Sequence, residues 1–303
     1  MSEVDRVYSA MEEAAGLLGV ACSPEKVRPV LAAYSGVLAD AVVVFSMAAG
    51  RRAVELDFSI SVPGGFGDPY AVAVSAGLTP RTDHPCGALV SEVQERCPVG
   101  MYAFDGEVGE GFKKTYTFFP VDSLQRVPEL ARIPSMPRAV AENAELFTRY
   151  GLNEVQMLSV DYVRRTVNLY FGNLPEGCVE PEAVRSMARD MGLPVPSEPG
   201  LEFARRSFAV YPTLSWDSGE IERLCLAVIT TDPGLVPARD EAEAAQFARF
   251  AENAPFAYEG ERTLVYGLTL APGEEYYKLG SYYQISDYQR KLVKAFDALK
   301  DRV

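Results

Sequence analysis

Two periodicities take turns along this 303-residue chain. Val4, Val7, Met11, Ala14 and Leu18 recur at three- and four-residue steps behind Ser2-x-x-Asp5, a capping-box arrangement that predicts a helix ending at Gly19. Ser286-x-x-Gln289 stands in the same way before Tyr288, Leu292, Phe296 and Leu299. Between these ends, helical spacing predicts further helices over 24–39, 68–78, 86–96, 137–150, 180–191, 198–205 and 240–252. Strand-like segments come in pairs, predicting hairpins near 41–62, 100–120, 154–172, 206–230 and 263–285. The hairpins start about every 55 residues, which suggests five copies of a helix–helix–strand–strand unit.

Alternation inside the strands sets the architecture. Val54, Leu56, Phe58, Ile60 and Val62 share one face, and Glu55, Asp57, Ser59 and Ser61 share the other. Thr166, Asn168 and Tyr170 alternate likewise with Val167, Leu169 and Phe171. Helices pack on the apolar face, so the polar faces must turn elsewhere. Ten antiparallel strands satisfy this by closing into a barrel whose lumen holds the polar faces, giving an α+β fold ringed by helices. A parallel barrel would need near-continuous apolar strands alternating singly with helices, and that pattern is absent. No Ser/Gly-rich linker divides residues 1–303, so one domain is expected.

Charge narrows the partners. With 29 Lys plus Arg against 42 Asp plus Glu, the net charge is -13, and such a surface repels nucleic acid and anionic membrane. The start, Met1-Ser2-Glu3-Val4-Asp5-Arg6, is not the basic region of a signal peptide, and no apolar run is long enough to span a bilayer. Five scattered cysteines without a Cys-x-x-Cys fit reduced thiols in a cytoplasmic protein. His84 is the only histidine and sits in a turn-like Thr82-Asp83-His84-Pro85. Histidine-based triads and multi-histidine metal sites are therefore excluded. There is no phosphate-binding Gly-x-x-x-x-Gly-Lys loop, no dinucleotide fingerprint, and no Asp-Asp-x-x-Asp metal cluster.

Against this acidic background, the cations on polar strand faces stand out. Lys114 shares a face with Tyr116 and Phe118, Arg223 with Cys225 and Ala227, and Lys278 with Tyr276, Gly280 and Tyr282. Asp57 and Asn168 add a carboxylate and an amide. Three cations and one carboxylate converging in a lumen imply an anionic guest, because unpaired buried charges are costly. A diphosphate suits the cations, and a Mg²⁺ ion shared with its oxygens suits the carboxylate. Taken singly, each Lys or Arg could equally sit at a strand end in water; the shared parity with aromatic residues favours the lumen. Tyr116, Tyr170, Tyr211, Tyr276 and Tyr282 fall on the same faces. Their rings would steady an allylic cation by roughly 0.5–2 kcal/mol each once desolvated, although such residues also serve ordinary packing.

Several strings carry a resemblance that runs end to end: Val43-Val44-Phe45-Ser46-Met47, Glu55-Leu56-Asp57-Phe58-Ser59-Ile60-Ser61, Gly111-Phe112-Lys113-Lys114-Thr115-Tyr116, Val167-Asn168-Leu169-Tyr170, Ser207-Phe208-Ala209-Val210-Tyr211-Pro212 and Glu275-Tyr276-Tyr277-Lys278-Leu279-Gly280. They resemble the NphB-type aromatic prenyltransferases of actinomycetes. The resemblance implies the PT-barrel (ABBA) fold and transfer of a prenyl group, geranyl from geranyl diphosphate above all, to a phenolic or naphthalene-type carbon in secondary metabolism. It implies a monomer whose diphosphate is held by Lys114, Asn168, Tyr211, Arg223 and Lys278, with Mg²⁺ on Asp57. Tyr116 and Tyr170 would flank the prenyl chain. Val44, Ser59, Gln156, Phe208, Ala209, Gly280, Tyr282, Gln289 and Leu292 would shape the prenyl and acceptor cavity. A similar member of the family has a serine where this chain has Ala209, which leaves acceptor identity and attachment position open. Two other readings are a non-catalytic isoprenoid- or polyketide-binding barrel and a prenyl diphosphate hydrolase. An apolar lumen without cations would mark the first, and release of prenyl alcohol without an acceptor the second.

Overall fold

A computed structural model describes residues 1–49, 54–235 and 241–286. Ten strands form a closed antiparallel barrel: β1 (Val43–Ala49), β2 (Glu55–Pro63), β3 (Met101–Glu107), β4 (Gly111–Phe118), β5 (Met157–Asp161), β6 (Thr166–Tyr170), β7 (Ala209–Ser215), β8 (Ile221–Thr230), β9 (Leu264–Ala271) and β10 (Glu274–Gln284). Every strand pairs with its neighbours in sequence, and β1 closes the ring on β10. A separate two-residue pair, Gln125–Arg126 with Glu154–Val155, lies outside the barrel. Closure leaves no strand edge open.

The alternation acts as the sequence predicts. On β2, Leu56, Phe58, Ile60 and Val62 are fully buried, while Glu55, Asp57, Ser59 and Ser61 are only partly covered. Val54 precedes the strand. On β6, Val167 and Leu169 join the outer apolar layer, and Thr166, Asn168 and Tyr170 face inward.

Helices fill the intervals: α1 (Glu3–Leu18), α2 (Pro24–Ala33), α3 (Pro69–Ser75), α4 (Cys86–Arg96), α5 (Val127–Leu130), α6 (Arg138–Glu142), α7 (Ala144–Arg149), α8 (Pro181–Asp190), α9 (Glu198–Ala204) and α10 (Glu241–Asn253). Ser2 caps α1 through the Asp5 amide at 3.1 Å, and Val7, Met11 and Ala14 are its buried stripe. At Gly19, φ is +68°, the left-handed conformation that favours glycine at a helix end.

The helical repeat is less regular than predicted. The helix expected over 24–39 ends at Ala33 and gives way to a short 3-10 turn, Ser35–Val37. The helix expected over 137–150 is split at Asn143, whose side-chain amide donates to the Ala139 and Gly219 carbonyls. Three short helices thus precede the third hairpin, and among the described residues one helix, α10, precedes the fifth. The predicted C-terminal helix, with Gln289 and Leu292, lies outside the described residues.

Three register shifts interrupt the ladder, and one reshapes the lumen. Asp105 pairs with Lys114 but Gly106 pairs with Phe112, so Lys113 is an extra residue in β4. Such a bulge breaks strict alternation and re-aims a side chain. Gly106 is required opposite it, because a Cβ there would stand 2.3 Å from the Phe58 ring. The other shifts fall at Glu222 on β8 and Tyr283 on β10.

Candidate active site

Cross-strand register assembles the lumen from residues remote in sequence. Lys114 lies beside Asp105 on β3 and Asp161 on β5. Tyr116 is next to Ala103 and Ser159, Asn168 next to Ser159 and Thr213, and Arg223 next to Thr213. Lys278 is opposite Gly267 on β9 and Ala48 on β1.

The lumen contains more charge than the sequence pattern predicts. Lys113, which strict alternation would turn outward, is brought inward by the bulge and ion-pairs with Asp57. The expectation of three cations around one carboxylate is therefore corrected. Asp57 has a lysine partner of its own, and Asp105, Glu107 and Asp161 are also on inward positions. Asp161 is committed to the β5–β6 turn, where Oδ1 accepts the Val163 and Arg164 amides at 3.1 and 2.8 Å.

Electrostatics follow from this crowding. Burial pulls the Lys114 ammonium below the ordinary lysine range, Asp105 and Asp161 oppose the shift, and the nearby Arg223 charge adds to it. For Lys113, burial also disfavours the charge, but Asp57, with Asp105 and Glu107 adding to it, holds the ammonium above its usual value. Burial raises Asp105, with Lys114 and the Tyr116 hydroxyl opposing.

An aromatic wall rises beside the cations. The Tyr116 and Tyr170 rings are 6.1 Å apart, and Tyr170 stacks on Tyr211 at 4.3 Å. Tyr170 Oη accepts from Asn168 Nδ2 at 3.2 Å and lies 3.5 Å from Ser159 Oγ. Lys114 Nζ stands 4.9 Å above the Tyr116 ring, and Lys278 Nζ is 5.8 Å from that of Tyr276. Burial pushes Tyr170 up to about 12 and Tyr116 and Tyr211 well above the ordinary phenol range, so all three stay neutral.

Small residues let neighbouring side chains pack closely on one stretch of the wall. Ala209 pairs with Ala227, Ala227 with Gly267, and Gly280 with Val265 and Ser46. A methyl at Gly267 would sit 2.9 Å from Cys225 Sγ, and one at Gly280 would sit 3.0 Å from Ser46 Oγ. Val44 lies between Ser59 on β2 and Tyr282 on β10, so these three and Gly280 form one patch. Gln156 is at the bend before β5, where its amide donates to Asn173 at 3.2 Å. Phe208 precedes β7, its amide bonded to Ala227. Alternation fixes neither direction, because both are outside the regular strands. A depression of about 540 Å³ bordered by Ala33, Phe66 and Val72 is on the helical layer and contains none of the lumen residues.

Sequence reasoning missed Lys113 and Asp105. Asp105 was open to detection, since Ala103, Asp105 and Glu107 share one parity. Lys113 was not, because only the three-dimensional register reveals the bulge.

A closed antiparallel barrel lined by tyrosines and cations and sheathed in helices defines a prenyltransferase barrel. Residues 2–296 match the family model described as aromatic prenyltransferase Orf2, and the chain belongs to this family, the NphB-type aromatic prenyltransferases. It is 42% identical over 297 residues to the 5,10-dihydrophenazine-1-carboxylate 9-dimethylallyltransferase of Streptomyces anulatus, covering 97% of this chain and 98% of that one. It is 45% identical over 280 residues to the flaviolin linalyltransferase of Streptomyces virginiae, covering 92% and 91%. Among solved structures, prenyltransferase PriB in ternary complex with L-tryptophan and dimethylallyl thiolodiphosphate shares the fold, with a TM-score of 0.57 at 16% identity over 94% of this chain and 96% of that one. Among the described residues, no helix is long and apolar enough to cross a membrane.

Proposed function

We propose that this aromatic prenyltransferase is a cytoplasmic monomer that transfers a geranyl group from geranyl diphosphate to a carbon of a phenolic or naphthalene-type acceptor in secondary metabolism. The observation that carries the reading is the set of inward cations, Lys114, Arg223 and Lys278, set against a tyrosine wall in a chain of net charge -13. Relatives that transfer dimethylallyl or linalyl groups support the reaction class.

Lys114, Arg223 and Lys278, with Asn168 and Tyr211, would receive the diphosphate and take up the charge that grows on it as the carbon–oxygen bond breaks. The faces of Tyr116 and Tyr170 would flank the allylic cation, and the closed wall would keep water from it. An acceptor carbon held near Val44, Ser59, Ala209, Gly280 and Tyr282 then attacks. Among the described residues no cluster of three carboxylate, thiol or imidazole ligands forms a metal cage. Mg²⁺ needs no such cage, because it binds through one or two carboxylates and substrate phosphates. Asp57 would hold the ion, which when bound offsets the charge of the diphosphate oxygens.

Mass spectrometry of products from an array of phenols and dihydroxynaphthalenes with five-, ten- and fifteen-carbon diphosphates tests the reading. C-geranylated products should dominate. Prenyl alcohol alone would mark a hydrolase, donor binding without turnover a carrier, and preference for another chain length would overturn the donor.

Ala209 shares its inward face with Tyr211, so one borders the acceptor and the other the diphosphate. Serine at 209 adds a hydroxyl able to bond an acceptor oxygen, an effect of about 0.5–1.5 kcal/mol. Ala209→Ser should therefore shift isomer ratios several-fold while total turnover changes less. Identical chromatographic ratios on a dihydroxynaphthalene and a resorcinol would exclude Ala209 from the acceptor pocket.

A further inference from the structure

We infer that Asp105, acting through Tyr116, takes up the proton that the acceptor ring loses after prenylation. Asp105 lies on the inward face of β3 and is only 9% exposed. Its Oδ2 accepts a hydrogen bond from the Tyr116 hydroxyl, while its buried Oδ1 has no hydrogen-bond partner. Buried carboxylates ordinarily gather several donors. One that receives so few is poorly solvated and is a stronger base. The other lumen carboxylates are placed differently: Asp57 is engaged by Lys113, Asp161 by the turn amides of Val163 and Arg164, and Glu107 lies at the far end of β3 opposite Asp57 and Gly111, four residues from the Ala103 that pairs with Tyr116. The one histidine, His84, packs edge-on against Trp216.

The inference rests on the proposed position of Tyr116 beside the prenyl chain. The proton leaves the ring carbon that has just bonded to the prenyl group, so its acceptor must lie where the prenyl carbon lies. At that carbon the C–H bond breaks and its electron pair restores the aromatic ring. The proton passes to Tyr116 Oη as Tyr116 gives its own to Asp105 Oδ2. Tyr116 ends unchanged, and Asp105 ends neutral until it returns the proton to solvent with the departing products. Tyr116 by itself is a weak base, and the carboxylate behind it makes the transfer favourable.

Two variants separate this role from simple support. Asp105→Asn keeps the shape and an oxygen for the Tyr116 hydroxyl but removes the basicity; Tyr116→Phe keeps the ring but breaks the relay. Each is assayed at saturating donor with a dihydroxynaphthalene that the wild-type enzyme prenylates, in ring-protonated and ring-deuterated forms. Wild-type turnover should show an isotope effect of about 1, because ionisation limits the rate and the proton loss that follows it is fast. In Asp105→Asn, kcat should fall about a hundredfold, with a clear primary isotope effect and little change in donor KM. Tyr116→Phe should also develop the isotope effect. Unchanged kcat, or a loss without an isotope effect in either variant, would overturn the relay and send the proton to diphosphate or water. Loss through donor KM alone would reduce Asp105 to a counter-charge for Lys114. Failure of the geranyl-transfer reading would appear separately, in the products of the wild-type enzyme.

Discussion

Alanine at Lys114, Arg223 or Lys278 is expected to cut donor affinity and turnover sharply while leaving the fold intact. Each side chain faces the lumen, and the apolar layer between barrel and helices does not depend on it. Truncating one partner of a desolvated charge pair costs about 2–5 kcal/mol, roughly thirtyfold to a few thousandfold. Lys114 should be the most sensitive, since its removal leaves Asp105 and Asp161 facing the diphosphate without their counter-charge. Isothermal titration with a non-hydrolysable donor analogue measures the affinity, and circular dichroism checks the fold. Near-normal kinetics in all three variants would refute a shared anion site.

The same lysine gives a pH signature. Its ammonium in the free enzyme is held below the ordinary value of 10.5. The diphosphate favours the charged form, so binding takes up a proton once the free enzyme begins to lose it. Donor affinity should thus decline on the alkaline side, at lower pH than a solvent-exposed lysine would give. In Lys114→Arg the decline should move upward, because a guanidinium does not titrate there.

The second large effect concerns Asp57 and Mg²⁺. EDTA should abolish most turnover, Mg²⁺ should restore it, and Asp57→Asn should lose it in both conditions. Charge stabilisation by a divalent ion at a leaving phosphate is worth several kcal/mol, about a hundredfold or more. In the free protein Lys113 already neutralises Asp57, so metal and lysine compete for one carboxylate. Lys113→Met should therefore lower the Mg²⁺ concentration needed for half-maximal rate. The fold should survive Asp57→Asn, because Lys113 retains Asp105 and Glu107 as neighbouring charges. Full turnover of the wild-type enzyme in EDTA would remove Mg²⁺ from the mechanism.

The period-two alternation of strands such as Glu55–Pro63 was enough to predict a barrel with a polar lumen. An apolar face must be covered by helices, and its opposite face then has only the interior to occupy. The five hairpins and the inward parity of Lys114, Asn168, Tyr211, Arg223 and Lys278 were legible for the same local reason. The tertiary structure decided the rest. A register shift depends on the partner strand, so the single extra residue that turns Lys113 inward onto Asp57 leaves no mark in the alternation of β4. Pairing across strands likewise brings Asp105 to the Tyr116 hydroxyl with one oxygen unmet, and it lines up the small residues Ala209, Ala227 and Gly267 from three strands. Local sequence determined which faces were polar, because side-chain direction follows from the backbone within one strand. Contact between faces depends on closure of the whole barrel, and that settled which charges meet.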